Sequence, residues 1–168
     1  MRTPQRDKVS ARRKQRMWDL RFLEMATMVA GWSRDNSMGV GCIIVAPDKT
    51  VRSMGYNGLP RGIEYTKERM ERPEKYIWTE HAERNAIYNT DQDLKGCTAY
   101  IACVPHERGG IAPCADCSRG LIQKGIVEIV GYNNTPNEED EDRPWVKGQL
   151  KAVGMLREAG VKLRLINA

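Results

Sequence analysis

Residues 81–87, His-Ala-Glu-Arg-Asn-Ala-Ile, and residues 113–117, Pro-Cys-Ala-Asp-Cys, decide how this chain is read. Each stretch stands where a helix should begin. Helical residues run from about Glu80 to Asn89 and again from Cys114 to Lys124, the second closed by Gly125, a favoured residue just past a helix end. One imidazole, His81, and two thiols, Cys114 and Cys117, supply three ligands for a tetrahedral zinc and leave the fourth position to water, the pattern of a catalytic rather than a structural site. The partial positive charge of two converging helix N-termini eases ionisation of the thiols. The carboxylate of Glu83, two residues beyond the imidazole, can then move protons without being a ligand.

Working outward, Trp18, Phe22, Met25, Ala26 and Val29 recur at three- and four-residue steps and predict an amphipathic helix from Arg16 to Trp32. Val40–Val45 and Thr50–Tyr56 flank Pro47-Asp48-Lys49 as a hairpin, Gly55–Gly62 carries turn chemistry, and the polar stretch Glu64–Lys75 reads as a loop. Strands follow at Thr98–Cys103 and Ile126–Val130. After the acidic loop Asn137–Asp142, Pro144 opens a helix bearing Val146, Leu150, Val153 and Leu156, and Val161, Leu163 and Leu165 alternate as a last strand. The order αββαβαβαβ predicts an α/β fold: a largely parallel sheet covered on both faces, with one antiparallel hairpin at its start.

At 168 residues, 40% hydrophobic and 29% charged, the chain suits one domain, expected over residues 17–168. Residues 1–16 hold seven basic side chains against one acid, so the remainder is close to neutral although the whole carries +5. That basic tail reads as a solvated terminus or first helical turn, with a nucleic-acid arm as the sharper alternative; a near-neutral globular part argues against a broad nucleic-acid footprint. No apolar run approaches the roughly 20 residues that cross a bilayer, and the N-terminus lacks a secretory apolar centre, so a cytosolic location and no membrane partner are expected. Five cysteines, an odd number, argue against a disulfide framework. Cys42, Cys97 and Cys103 read as buried small residues and His106 as a loop residue, although these four are the only candidates for a fourth ligand of a structural zinc site.

The two opening stretches together match the H-x-E…P-C-x-x-C signature of zinc deaminases. With Ser33–Val45 (SRDNSMGVGCIIV) and Gly55–Gly62 (GYNGLPRG), they make the chain resemble the deoxycytidylate (dCMP) deaminases of the cytidine deaminase superfamily, from about Ser33 to the last strand. The resemblance implies a three-layer α/β/α fold around a five-stranded mixed sheet. It implies that His81, Cys114 and Cys117 hold Zn2+, and that Glu83 protonates the pyrimidine at N3, assists attack on C4 and passes a proton to the departing ammonia, giving dUMP for thymidylate synthesis. It also places Asn57 at the sugar hydroxyl and the backbone of Ala82 at the base edge. Ser33 and Asn36, with Arg34 and Ser37, are candidates for the phosphate, and Tyr132 for a wall or hydroxyl donor. Relatives that are hexamers activated by dCTP and inhibited by dTTP, with Mg2+ accompanying the triphosphate, point to Gly58, Leu59, Arg61, Gly62 and Asn85 as a regulatory site. For a virus-encoded enzyme the location would be the host cytoplasm.

Two departures from the family pattern stand out: the inserted segment VPHERGGIA between Cys103 and Pro113, expected to form a lid or subunit contact, and Arg84 where relatives often carry an apolar residue. The rival readings are a nucleic-acid base deaminase resembling the tRNA adenosine deaminases, favoured by the basic tail, and a non-catalytic zinc-binding module.

Overall fold

The computed structural model describes residues 4–105, 112–133 and 144–167. His106 and the acidic loop Asn137–Asp142 lie outside them, as does most of the inserted segment. Five strands, β1 (Gly39–Val45), β2 (Val51–Tyr56), β3 (Thr98–Val104), β4 (Glu128–Tyr132) and β5 (Lys162–Ile166), form one sheet in the order β2-β1-β3-β4-β5. β1 is antiparallel to both β2 and β3, whereas β3, β4 and β5 run parallel. The sheet is therefore evenly mixed rather than largely parallel. A helical crossover joins parallel strands, so β3 must run with β2; because it lies on the far side of β1, it opposes β1.

Alternation along the strands divides the core between two faces. Ile43, Val45, Tyr100, Ala102 and Val130 face Phe22, Leu23, Ala26 and Val29 of α1 (Pro4–Ala30). Cys42, Ile44, Ala99 and Ile129 face the other way, onto Ala82, Ala86 and Ile87 of α4 (Ala82–Tyr88), Leu121 of α5 (Ala115–Gln123) and Leu156 of α6 (Pro144–Glu158). The three-layer α/β/α expectation holds. Gly55 sets the fit on the second side: a Cβ there would run into the backbone of Ala82 and Ala86, so only glycine lets α4 lie this close to β2.

Three local expectations change. α1 starts twelve residues before the expected Arg16, with proline in its first position. Good helix formers among Lys8–Gln15 carry it past the last residue that packs, and Lys8–Lys14 are exposed. The stretch read as a loop contains the single-turn helix α2 (Lys67–Met70), capped by the Thr66 hydroxyl, and a second, α3 (Lys75–Trp78), begins at the last residue of that stretch; neither is long enough to show an apolar period. β4 begins two residues late, because the Ile126 and Val127 N–H groups are used by the Leu121 and Cys97 carbonyls. No helix among the described residues is long and apolar enough to cross a membrane.

A polar cluster pins α1 to the sheet. Asp19 is 1% exposed and accepts from Arg164 (2.7 and 3.0 Å), the Tyr100 hydroxyl (3.0 Å) and Gln15 (2.9 Å), while Arg164 also donates to Glu128 at 2.7 and 3.1 Å. Burial by itself would raise the Asp19 carboxyl, but the hydrogen bonds from Arg164, Gln15 and Tyr100 outweigh it and hold the group below its ordinary value. Asp19→Ala, which strands the partners of a buried charge, should lower the urea-unfolding free energy by about 3 kcal/mol. The folded carboxyl titrates below the unfolded one, so its contribution is complete above about pH 4 and fades as pH falls through the folded value. Asp19→Asn should accordingly flatten the acid limb of stability against pH.

Candidate active site

The N-termini of α4 and α5 meet where β3 ends and β1 begins, Gly39 being paired with Val104. His81 is the N-cap of α4, in extended backbone, and its side chain makes no capping bond, so the ring is left to other partners. Cys114 is the N-cap of α5 and accepts from the Cys117 N–H at 3.5 Å. His81 Nδ1 lies 3.4 Å from the Cys114 Sγ and 3.4 Å from the Cys117 Sγ. Zinc bonds of about 2.0 Å to nitrogen and 2.3 Å to sulfur at tetrahedral angles put N and S about 3.5 Å apart, so the donor set fits that ion. Among the described residues this is the one group of three His, Cys, Asp or Glu with ligand atoms within 4.8 Å of one another. Cys42, Cys97 and Cys103 do not join it, which leaves the fourth position without a protein ligand from the described residues.

Electrostatics of the trio follow from its packing. The hydrogen bond from Cys117, together with the imidazole and the Cys117 N–H, pulls the Cys114 thiol down to about 4. The hydrogen bond to Cys114 raises His81 to about 9 against the opposing effect of burial. Cys117, buried and bonded to a thiolate, is pushed the other way and keeps its proton. A divalent cation held by the three groups would favour two thiolates and a neutral imidazole. Glu83, in the first turn of α4, is 5% exposed, and burial raises its carboxyl despite the nearby imidazole. Arg84 forms an ion pair with Glu80 at 3.0 Å and takes no part in the trio.

The other expected residues separate. Asn57 is 6% exposed and its side chain is engaged at both ends: Oδ1 accepts the Val40 N–H at 2.7 Å and Nδ2 donates to the Met38 carbonyl at 3.0 Å. One lone pair and one N–H remain for another contact. Ser33 donates to the Asn57 carbonyl at 2.8 Å, and Asn36 is exposed in the same loop. Ala82 is buried, and as the first residue of α4 its N–H has no acceptor inside the helix. Tyr132 is not in a loop after β4; it closes the strand and packs on the α1 side of the sheet, away from α4 and α5, because it alternates in step with Val130.

In the glycine-rich loop, Gly58 and Glu80 exchange backbone hydrogen bonds of 3.1 and 2.9 Å, so the Gly58 N–H is already used. Asn85 donates to the Tyr56 carbonyl at 2.8 Å, and Arg61 to the Asn89 side chain at 2.5 Å. Leu59 is half-buried, and Gly62 is exposed with φ +82. Sequence reasoning missed Asp35 and Lys75, whose ion pair of 2.8 Å is almost fully buried. Lys75 stood in a stretch with no apolar period, and nothing local marks it as buried.

The family described as the cytidine and deoxycytidylate deaminase zinc-binding region matches residues 16–133. An uncharacterized deaminase from the luxG 3′ region of Aliivibrio fischeri is 34% identical over 146 residues, 87% of this chain and 91% of that protein. Human deoxycytidylate deaminase is 31% identical over 131 residues, 74% of this chain and 69% of that one. The crystal structure of dCMP deaminase from the cyanophage S-TIM5, in complex with dCMP and dUMP, superposes with a TM-score of 0.61 at 18% identity and covers 98% of this chain and 100% of its own; at that identity the likeness establishes the shared fold.

Cys117→Ala should reduce zinc from about one ion per chain to a small fraction of that, measured by atomic absorption after gel filtration, because two ligands hold zinc far more weakly than three. An unchanged zinc content would mean that the ion is held elsewhere.

Proposed function

The chain belongs to the cytidine and deoxycytidylate deaminase family of zinc-type hydrolytic deaminases, and from that we propose that it converts dCMP and water to dUMP and ammonia. The observation that carries the reading is the His81, Cys114 and Cys117 trio, with its 3.4 Å spacings, beside a buried Glu83. A zinc ion held by those three residues would supply Lewis acidity and lower the pKa of its water towards about 7. Glu83 is the proton carrier: it takes a proton from the water that adds to C4, delivers it to N3, and conveys a proton to the amino group that leaves as ammonia. The buried carboxyl keeps those transfers away from bulk water. The Ala82 N–H is directed to the base edge, and the remaining donor and acceptor of Asn57 to the sugar hydroxyl.

dCMP is favoured by the similarity to deoxycytidylate deaminases, human among them. Ser33 and Asn36 are placed at the phosphate, on a loop that hydrogen bonds to Asn57. Tyr132 has the α1 side as its surroundings and is left out of the substrate set. Activation by dCTP and inhibition by dTTP, with Mg2+, belong to the same proposal, as do a hexamer and a cytoplasmic setting; the GYNGLPRG stretch supports the regulatory part. There, exposed Arg61 and Gly62 face solvent, with half-buried Leu59 beside them, while Gly58 and Asn85 shape the loop. Residues 17–168 are proposed as the catalytic domain, with the exposed basic start of α1 favouring a nucleic-acid base deaminase as second reading.

Glu83→Gln should lower kcat on dCMP by about a thousandfold, as expected for loss of an acid–base group, with zinc content unchanged. Across dCMP, dCTP, deoxycytidine, CMP and a short RNA, dCMP should give the highest kcat/KM, and removal of residues 1–14 should leave it unchanged. Turnover of the RNA alone, lost on that truncation, would replace this reading with the second one.

A further inference from the structure

Lys75 is the only buried lysine among the described residues. Its three N–H donors are used on Asp35 Oδ1 at 3.0 Å, Asp35 Oδ2 at 2.8 Å and Ser37 Oγ at 2.5 Å. Asp35 Oδ1 in turn accepts the Ser37 N–H at 2.8 Å, the Ser37 hydroxyl at 2.7 Å and the Met38 N–H at 3.3 Å, so one carboxylate defines the turn into β1. Asn57 takes over at the next residues, bonded to the Met38 carbonyl and the Val40 N–H. Its neighbour Gly58 is bridged to Glu80, and the Glu80 carboxylate accepts the His81 N–H at 3.0 Å. Lys75 and His81 are thus two ends of one short segment, and the polar chain from Lys75 through Asp35, Asn57 and Gly58 returns to the residue beside His81.

Stability alone does not account for this pair. Two buried charges lose hydration that their attraction only partly restores, and an apolar pair of similar volume commonly serves as well. A buried ammonium does provide a directional anchor, and it cancels the Asp35 charge in a loop linked through Asn57 and the Gly58–Glu80 bridge to the residue before His81. An uncompensated carboxylate there would repel a phosphomonoester dianion.

We propose that Lys75 is a positioning residue for substrate binding: paired with Asp35, it fixes and neutralises the Ser33–Met38 loop so that a nucleoside monophosphate is admitted, without touching the reacting atoms. The kinetic part rests on the dCMP reading above. The test compares Lys75→Met, Asp35→Asn and the double variant in the full-length zinc-loaded protein by steady-state kinetics on dCMP and deoxycytidine, zinc content and amide hydrogen exchange. Each single variant should raise KM for dCMP about tenfold, more than for deoxycytidine, with kcat within about twofold and zinc unchanged. Exchange at Ser37 and Met38, whose N–H groups Asp35 holds, should accelerate about tenfold or more. The double variant should be no worse than the worse single, because both remove one linkage.

KM shifts of opposite sign in the two singles would show a charge effect without positioning and overturn the proposal. So would unchanged amide protection, equal effects on both substrates, or a fall in kcat and zinc content with KM unmoved. Should Lys75→Met fail to fold, Asp35→Asn decides the same points. If the unsubstituted protein does not turn over dCMP, the substrate reading fails, and the exchange pattern still decides whether Lys75 orders the loop.

Discussion

Everything in this protein is arranged around the meeting of two helix N-termini at the ends of the interior strands β1 and β3 of a mixed sheet. α4 and α5 each begin with a residue that has left helical geometry, His81 in one and Cys114 in the other, and those N-cap positions put an imidazole and a thiolate in contact. The partial positive charge at each helix start favours the thiolate, and the second cysteine, one turn further along α5, completes the set. The convergence depends on close packing. Gly55 in β2 lets the backbone of α4 settle onto the strand, and any side chain at that position would displace the helix that carries both His81 and Glu83.

Around this convergence the molecule separates apolar from polar work. The two faces of the sheet are filled by small and branched residues, which fix where the helices lie. The loops at the edge are held by buried polar groups: Asn57 gripping the entry to β1, Asp35 and Lys75 setting the turn before it, and the Gly58–Glu80 bridge next to His81. Such groups are demanding, because each buried donor or acceptor must be matched, and they define one arrangement more sharply than apolar contacts do. A site that must set a substrate against a fixed trio gains from that definition.

Elements with a strong period were legible in advance. The β-branched run of β1, the alternation in β5, the hairpin between β1 and β2, the apolar stripe of α1 from Trp18 onward and the closure of α5 near Gly125 all appear close to where residue pattern places them. Elements without a period were not. The single turns of α2 and α3 carry no repeat, and Lys8–Lys14 of α1 are helical by propensity while exposed. Tyr132 was misplaced because β4 runs two residues past Val130, so that Tyr132 belongs to the strand and shares with Val130 the face packed by α1.

Which residues are proposed as the zinc trio and the acid–base group was determined by the sequence, because a candidate ligand set is a matter of residue type and spacing: His81 and Glu83 two apart, Cys114 and Cys117 three apart, each at a helix start. The alternating strands and their connecting helices likewise determined a layered α/β fold. Only the tertiary structure decided that β1 opposes β3, that the Asn57 side chain spends half of its hydrogen-bonding capacity on the chain entering β1, and that Lys75 lies buried against Asp35, forty residues away in sequence. Those outcomes depend on which distant segments share a boundary, and a buried charge or amide is settled by the partner that satisfies it, which no local pattern contains.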